Sequence, residues 1–411
     1  MVEIVESCMV VPSEETPKHK LWLSNLDIVA TRGHVPTLHV YQSTTDSTFF
    51  CVETVKAALA RALAIYYPLA GKLAVDETGR MEVHCTGEGA LFVVAKSDGY
   101  TIDDVTDVVP TVEMRRMFVP SAASSEPPCI VLMVQVTFLR CGGVILGVAN
   151  HHGVADGRSA FQFIKTWSAV CRGLDAPPSS PPPSFDRTIL SARSPPSSVG
   201  AYEHPDDTVP NSSPAADASA DAAPFVVELL TLSKAQLDSL KLRYGGGNPS
   251  SISTFRAVAT HAWRCACIAR ALRPGETTEL QTIVTVCDRL KPPLPPHFFG
   301  NATVRVKVSA PAEELISNPS KSGAEQIRSV INQVDDEYVR SVIDRAAVTG
   351  ASGQQKKGSS SHRLRHSDLR LWPRIYGEEA RKRRRVGLTM ALEPENMEKF
   401  KQLFYEEVEI N

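Results

Sequence analysis

Residues 146–157 read LGVANHHGVADG, and four of them suit proton chemistry: His151, His152, Asp156 and Gly157. An imidazole whose ordinary pKa lies near ~6.5 takes a proton from a hydroxyl or an amine at neutral pH, which makes histidine the natural general base of such a stretch. The aspartate four residues after His152 can hold a turn by hydrogen bonds or an ion pair without touching substrate. Gly157 is expected to permit a backbone angle that a side chain would obstruct. A single histidine at the end of a strand is ordinarily a satisfied polar residue; the adjacent pair followed by Asp-Gly favours catalysis. Zinc is the competing chemistry, but no third and fourth ligand stand at a matching spacing, so no metal is expected.

The flanking elements decide whether these side chains are held rigidly. IVLMVQVTFLRCGGVILGVAN is two β-rich runs around an Arg-Cys-Gly-Gly turn, which predicts a hairpin leading into the histidines. SAFQFIKTWSAVCRG then places Phe161, Phe163, Ile164, Trp167 and Cys171 at helical spacing, with Gly173 as the stop. A tight strand-to-helix turn fixes side chains while leaving their tips in a cleft, as a base requires. Upstream, Val52, Val55, Leu59 and Leu63 predict an amphipathic helix. Downstream, VVELLTL reads as a strand, SKAQLDSLKLRY as a helix capped by Ser233, and STFRAVATHAWRCACIARAL as a long, largely buried helix with Ser253 and Thr254 at its start. On that helix Cys265 and Cys267 point to different faces, so core packing is favoured over redox chemistry, and His261 and Trp263 read as structural.

The 411 residues, 43% of them hydrophobic, suffice for two domains with separate cores. Residues 1–174 form the first, 175–224 a crossover rich in Pro, Ser, Ala and Asp, and 225–411 the second. The island FDRTIL in the crossover is expected to be pinned to a surface and residues 199–224 to be mobile. A formal net charge of -2 gives no electrostatic reason for nucleic acid or an anionic membrane as partner. Nine cysteines without a repeating frame, several inside apolar runs (Cys141, Cys171, Cys265, Cys267), suit buried thiols in a reducing, cytoplasmic setting. Neither a signal peptide nor a bilayer-length apolar run is read from the sequence.

With its company, the histidine stretch becomes specific. His151-His152-x-x-x-Asp156-Gly157 resembles the HHxxxDG signature of CoA-dependent acyltransferases. MVVPSEETPKHKLWLSNLD, YYPLAGKL, FDRTILSARSPP and KPPLPPHFFGN resemble, in family order, the opening strand, the YPLAGRL motif, the crossover and the PPLPxGYFGN turn of the plant BAHD family, in particular its hydroxycinnamoyl-CoA transferase branch. The resemblance runs to about Asp344 and resumes at VGLTMALEPENMEKFKQLFYEEV. It implies an α/β fold of two chloramphenicol-acetyltransferase-like domains, mixed sheets flanked by helices, with a central channel, in a monomer. It further implies that His152 deprotonates an alcohol or amine acceptor, which attacks the thioester of a p-coumaroyl-, caffeoyl- or feruloyl-CoA. No covalent acyl-enzyme and no cofactor is implied; acyl-CoA is a co-substrate. Asp156 would tie its loop down through an arginine, for which Arg289 is the candidate. His34, Thr37 and His39 of HVPTLHVY would line the acyl pocket, and Ser253 and Thr254 would lie near CoA.

One family feature is missing. The DFGWG motif of the C-terminal domain does not occur, and HSDLRLWPRIYG is followed by EEARKRRRVGLTMAL. Residues 346–366 lack apolar periodicity, and the basic run Arg381 to Arg385 reads as solvated or out-of-register sequence rather than a nucleic-acid patch. The alternative reading is therefore a truncated, non-catalytic paralogue or aberrant product that at most binds acyl-CoA.

Overall fold

The computed structural model describes residues 2–30, 33–45, 49–105, 112–121, 125–174, 181–196, 225–349, 362–364, 369–373 and 386–408. The first half is organised on a five-stranded mixed sheet in the order Val2–Val10, Ala90–Ser97, Leu132–Leu139, Val144–His151, His34–Tyr41. The second and third of these run parallel, and the other pairs are antiparallel. The expected hairpin is present: Leu132–Leu139 and Val144–His151 pair antiparallel, joined by a turn in which Gly142 has φ 78°. Every residue of Val144–His151 is buried, which explains why that strand runs apolar from Val144 to Ala149 rather than alternating. Helices Val52–Ile65 and Gly157–Cys171 cover one face of the sheet, where Leu59, Leu63, Phe163 and Trp167 join Phe92, Val134 and Val136 in one core. The Trp167 indole N–H donates to the Val55 carbonyl (3.1 Å), locking the two helices together.

The second half is built around the helix Thr254–Ala269, which has eleven buried residues and is capped by Ser253, whose hydroxyl accepts the Arg256 N–H at 3.2 Å. Ser233 forms a full capping box with Gln236 ahead of Lys234–Tyr244. Strands Val226–Leu232, Val386–Leu392 and Leu369–Pro373 form one antiparallel sheet; Thr303–Pro311, Thr277–Thr285 and His362–Leu364 form another, the last strand adding in parallel. The helix Asp336–Thr349 continues past Asp344 to Thr349. Residues 199–224, 350–361 and Arg381 to Arg385 lie outside the described residues.

The two halves exchange apolar side chains. Phe299 packs into the core of the first half, whereas Leu26 and Leu190 pack with Val286, Leu290 and Ile343 of the second. The FDRTIL island is pinned between them: Ser184 bridges Phe298, and Arg187 and Leu190 are buried. Cys141 and Cys171 differ from expectation, the first standing exposed in the hairpin turn and the second half-buried, whereas Cys265 and Cys267 are buried.

Candidate active site

The strand ends at His151, residues 152–155 turn, and Asp156 caps the helix Gly157–Cys171. The Asp156 carboxylate accepts the Ser159 N–H on Oδ1 (2.9 Å) and the Ala302 N–H on Oδ2 (3.1 Å), while the Asp156 N–H donates to the Gly300 carbonyl (3.2 Å). The Ser159 hydroxyl donates to Gly300 O at 2.9 Å. Asp156 thus welds the turn to residues 300–302 of the other half of the chain, and both its oxygens are committed to backbone donors.

The expected tie between Asp156 and Arg289 is not formed. Arg289 Nη1 donates instead to the carbonyls of Ile331 (2.7 Å) and Val334 (2.6 Å), closing the end of a helix elsewhere. The buried ion pair at this seam is Arg187 Nε to Asp27 Oδ2, 3.0 Å apart and both almost wholly inaccessible.

The two histidines have different jobs. His151 is 1% exposed; its Nδ1 accepts the Gly153 N–H (3.2 Å) and its Nε2 donates to the Ser125 carbonyl (3.2 Å). Burial first, then the neighbouring His34, pushes its pKa down to about 4, so it stays neutral and acts as a strut. His152 lines a pocket together with Val35, Thr37, Leu69, Phe161 and Phe299. Its Nδ1 is buried with no hydrogen-bond partner, so Nε2 is the ring nitrogen left to meet a substrate, and no carboxylate bonds to the ring as in a charge-paired triad. The rest of the lining is apolar apart from Thr37, Asn150 and Asp156.

The other sequence-derived residues divide. Thr37 lines this pocket, its hydroxyl donating to Val148 O at 3.4 Å. His39 is outside the lining and reaches it through Thr37, 3.3 Å from Nε2 to Oγ1. His34 is not in the pocket: strand alternation sends it to the face opposite Val35 and Thr37, where it lies edge-on to His151 (ring centroids 5.2 Å) and bonds Ser125 Oγ and Ile130 O. Gly157 lines the pocket, but not for the expected reason. It is an ordinary helical residue, and a Cβ there would meet nothing within 4 Å, so its missing side chain leaves space rather than relieving the backbone. Ser253 and Thr254 are outside the lining of this pocket, Ser253 serving as a helix cap. The sequence reading gave Phe161 only as a helix-face residue and missed its place on the pocket wall, as it missed the roles of Phe299 and Asn301 and the partnership of Asp27 with Arg187.

Among the described residues, one group of three potential metal ligands converges, His261, Cys265 and Glu407. His261 Nδ1 already meets the Tyr244 hydroxyl (2.9 Å), its Nε2 meets Phe404 O (2.9 Å), and Glu407 pairs with Arg264. Burial also pushes the Cys265 thiol far up, away from the thiolate a metal needs. The group is a buried polar knot joining two helices.

A family model described as the Transferase family matches residues 1–366. Putrescine hydroxycinnamoyltransferase 1 of Oryza sativa subsp. japonica is 39% identical over 454 residues, covering 99% of each chain. Shikimate O-hydroxycinnamoyltransferase of Nicotiana tabacum is 35% identical, covering 91% of this chain and 86% of its own. Among solved structures, vinorine synthase aligns with a TM-score of 0.72 at 18% identity over 99% of this chain and 98% of its own. F. sporotrichioides TRI101, complexed with coenzyme A and T-2, aligns at 0.69 and 17% identity over 93% and 97%. At such identities these two establish a shared fold.

Proposed function

The chain belongs to the Transferase family of BAHD acyltransferases, and from that premise we propose that it moves a hydroxycinnamoyl group from acyl-CoA to an alcohol or amine, with His152 as general base. The observation that carries the assignment is His152 on the wall of an apolar pocket, with Nδ1 buried and Nε2 left for substrate. Nε2 takes the proton of the acceptor O–H or N–H as the oxygen or nitrogen attacks the thioester carbonyl. The tetrahedral intermediate collapses with cleavage of the C–S bond, and the CoA thiolate recovers the proton from the imidazolium. No side chain becomes acylated.

An apolar, aromatic-walled pocket suits the flat ring of a p-coumaroyl, caffeoyl or feruloyl donor, with Thr37 as a hydroxyl on its wall. The relative named for putrescine, at 39% identity over nearly all of both chains, favours an aliphatic amine as the first acceptor to test. Acyl-CoA serves as co-substrate in the proposed reaction. Nine free cysteines support a reducing, cytoplasmic setting, and no helix among the described residues is long and apolar enough to cross a membrane. We take the working unit to be a monomer, as the family resemblance implies.

The test is thiol release from p-coumaroyl-CoA with putrescine, agmatine, tryptamine, shikimate and quinate, with product mass measured. Acceptor-dependent release that falls by ~10²–10⁴ in His152→Ala supports the reading. A variant keeping most of its activity removes His152 as base. Absence of release from folded protein favours the non-catalytic acyl-CoA-binding paralogue with an altered C-terminal region.

A further inference from the structure

The turn carrying His152 is held by its backbone carbonyls, and the donors come from distant parts of the chain. Asn301 Nδ2 donates to His152 O at 2.8 Å, and Arg187 Nη2 donates to Val154 O at 3.1 Å. Both donors converge on Asp27. Its Oδ1 accepts the Asn301 N–H and Nδ2 (2.9 Å each); its Oδ2 accepts Arg187 Nε (3.0 Å), the Ser24 N–H and the Ser24 hydroxyl (2.8 Å each). Asp27 is 0%, Asn301 1% and Arg187 2% exposed, and none of the three lines the pocket. The remaining faces are fixed as well: Arg187 Nη1 donates to Phe185 O at 3.0 Å, and its guanidinium lies over the Phe298 ring.

We propose that Asp27, Arg187 and Asn301 are a positioning group for His152, acting through the His152 and Val154 carbonyls and never on substrate; this rests on His152 being the base. A carboxylate gathering five donors with no exposure is costly to bury unless all its lone pairs are used, and here they are. Its partners are thereby fixed in direction. Each hands one hydrogen bond to a carbonyl of the turn, so the imidazole is set by a triangle whose corners lie in the short helix Asn25–Ile28, the crossover and the segment leading into the strand Thr303–Pro311. Asp156 anchors the far side of the same turn.

Displacement of a reacting group by about 1 Å can cost on the order of 100-fold in rate. The test uses the full chain with Asn301→Ala and Arg187→Lys, each removing one tie to the His152 turn while leaving Asp27 a cationic partner. The expected result is kcat lower by about 10–100-fold with KM for both substrates changed by less than ~3-fold, in protein of wild-type circular dichroism. Introduced into His152→Ala, Asn301→Ala should lower the residual rate by no more than ~2-fold, because the imidazole it positions is gone. An unchanged kcat, a matching rise in KM, or the same loss repeated in the His152→Ala background would overturn the proposal, as would failure of both variants to fold, which would make the group a folding device. The base assignment fails separately, if His152→Ala itself stays active.

Discussion

Asp156→Asn separates a carboxylate that shapes a loop from one that takes part in the reaction. Asparagine keeps one carbonyl oxygen, enough for the Ser159 N–H at the helix cap, but turns an amide N–H₂ toward the Ala302 N–H that Oδ2 accepts. A buried donor is left unpaired, at a cost of about 1–3 kcal/mol. Asp156→Ala also removes the N-cap, adding about 1 kcal/mol, for a total of about 2–4 kcal/mol. Both changes open the seam between residues 156–159 and 300–302, so activity should fall together with stability, more in Asp156→Ala than in Asp156→Asn. Urea midpoints from tryptophan fluorescence, half-lives under proteinase K and initial transfer rates on the same preparations measure the three quantities. The reasoning is refuted by an Asp156→Asn protein with wild-type midpoint and protease half-life that nonetheless loses more than ~10-fold in rate, since the carboxylate would then act on the chemistry.

Other consequences follow from the neighbouring geometry. The His151 imidazole gains its proton near 6.5 in an unfolded chain but only at about 4 in the folded protein, so the unfolded state binds the extra proton between these values. The His151 contribution to stability is full above pH 6.5, falls by up to about 3 kcal/mol as pH drops to about 4, and levels off below; the decline in urea midpoints across that range should be shallower in His151→Asn than in the unaltered protein, and an equal decline in the variant would show that other groups cause it. A Cβ on Gly147 would stand 1.8 Å from the Phe118 carbonyl oxygen, so Gly147→Ala must push a backbone segment off the sheet and should cost more than about 3 kcal/mol; soluble protein with an unchanged midpoint contradicts the packing described. Gly157→Val fills open space on the pocket wall, so it should raise KM for p-coumaroyl-CoA several-fold while leaving the midpoint nearly unchanged, and unaltered kinetics would place the acyl group elsewhere.

Local chemistry was legible in the sequence where it depended on neighbours in the chain. The hairpin before the histidines, the helix after them, the Ser233 and Ser253 caps and the pinned FDRTIL island all follow from periodicity and capping residues a few positions apart. The choice of His152 over His151 was legible only through family resemblance; the structure supplies the physical difference, burying one ring between Ser125 and Gly153 and leaving the other on a pocket wall. His34 was misplaced because its strand neighbours Val35 and Thr37 do face the pocket, and alternation turns His34 the other way.

What sequence alone determined, then, was a strand-turn-helix bearing a histidine pair within an α/β chain, because those features are written in short-range pattern. Only the tertiary structure decided which arginine meets which carboxylate. Arg289 follows a strand and looked available, yet its Nη1 donates to Ile331 O and Val334 O, while Arg187 crosses 160 positions to reach Asp27. Such pairings carry no periodic signal: they exist because a buried charge must find a partner among whatever groups the packed halves bring together.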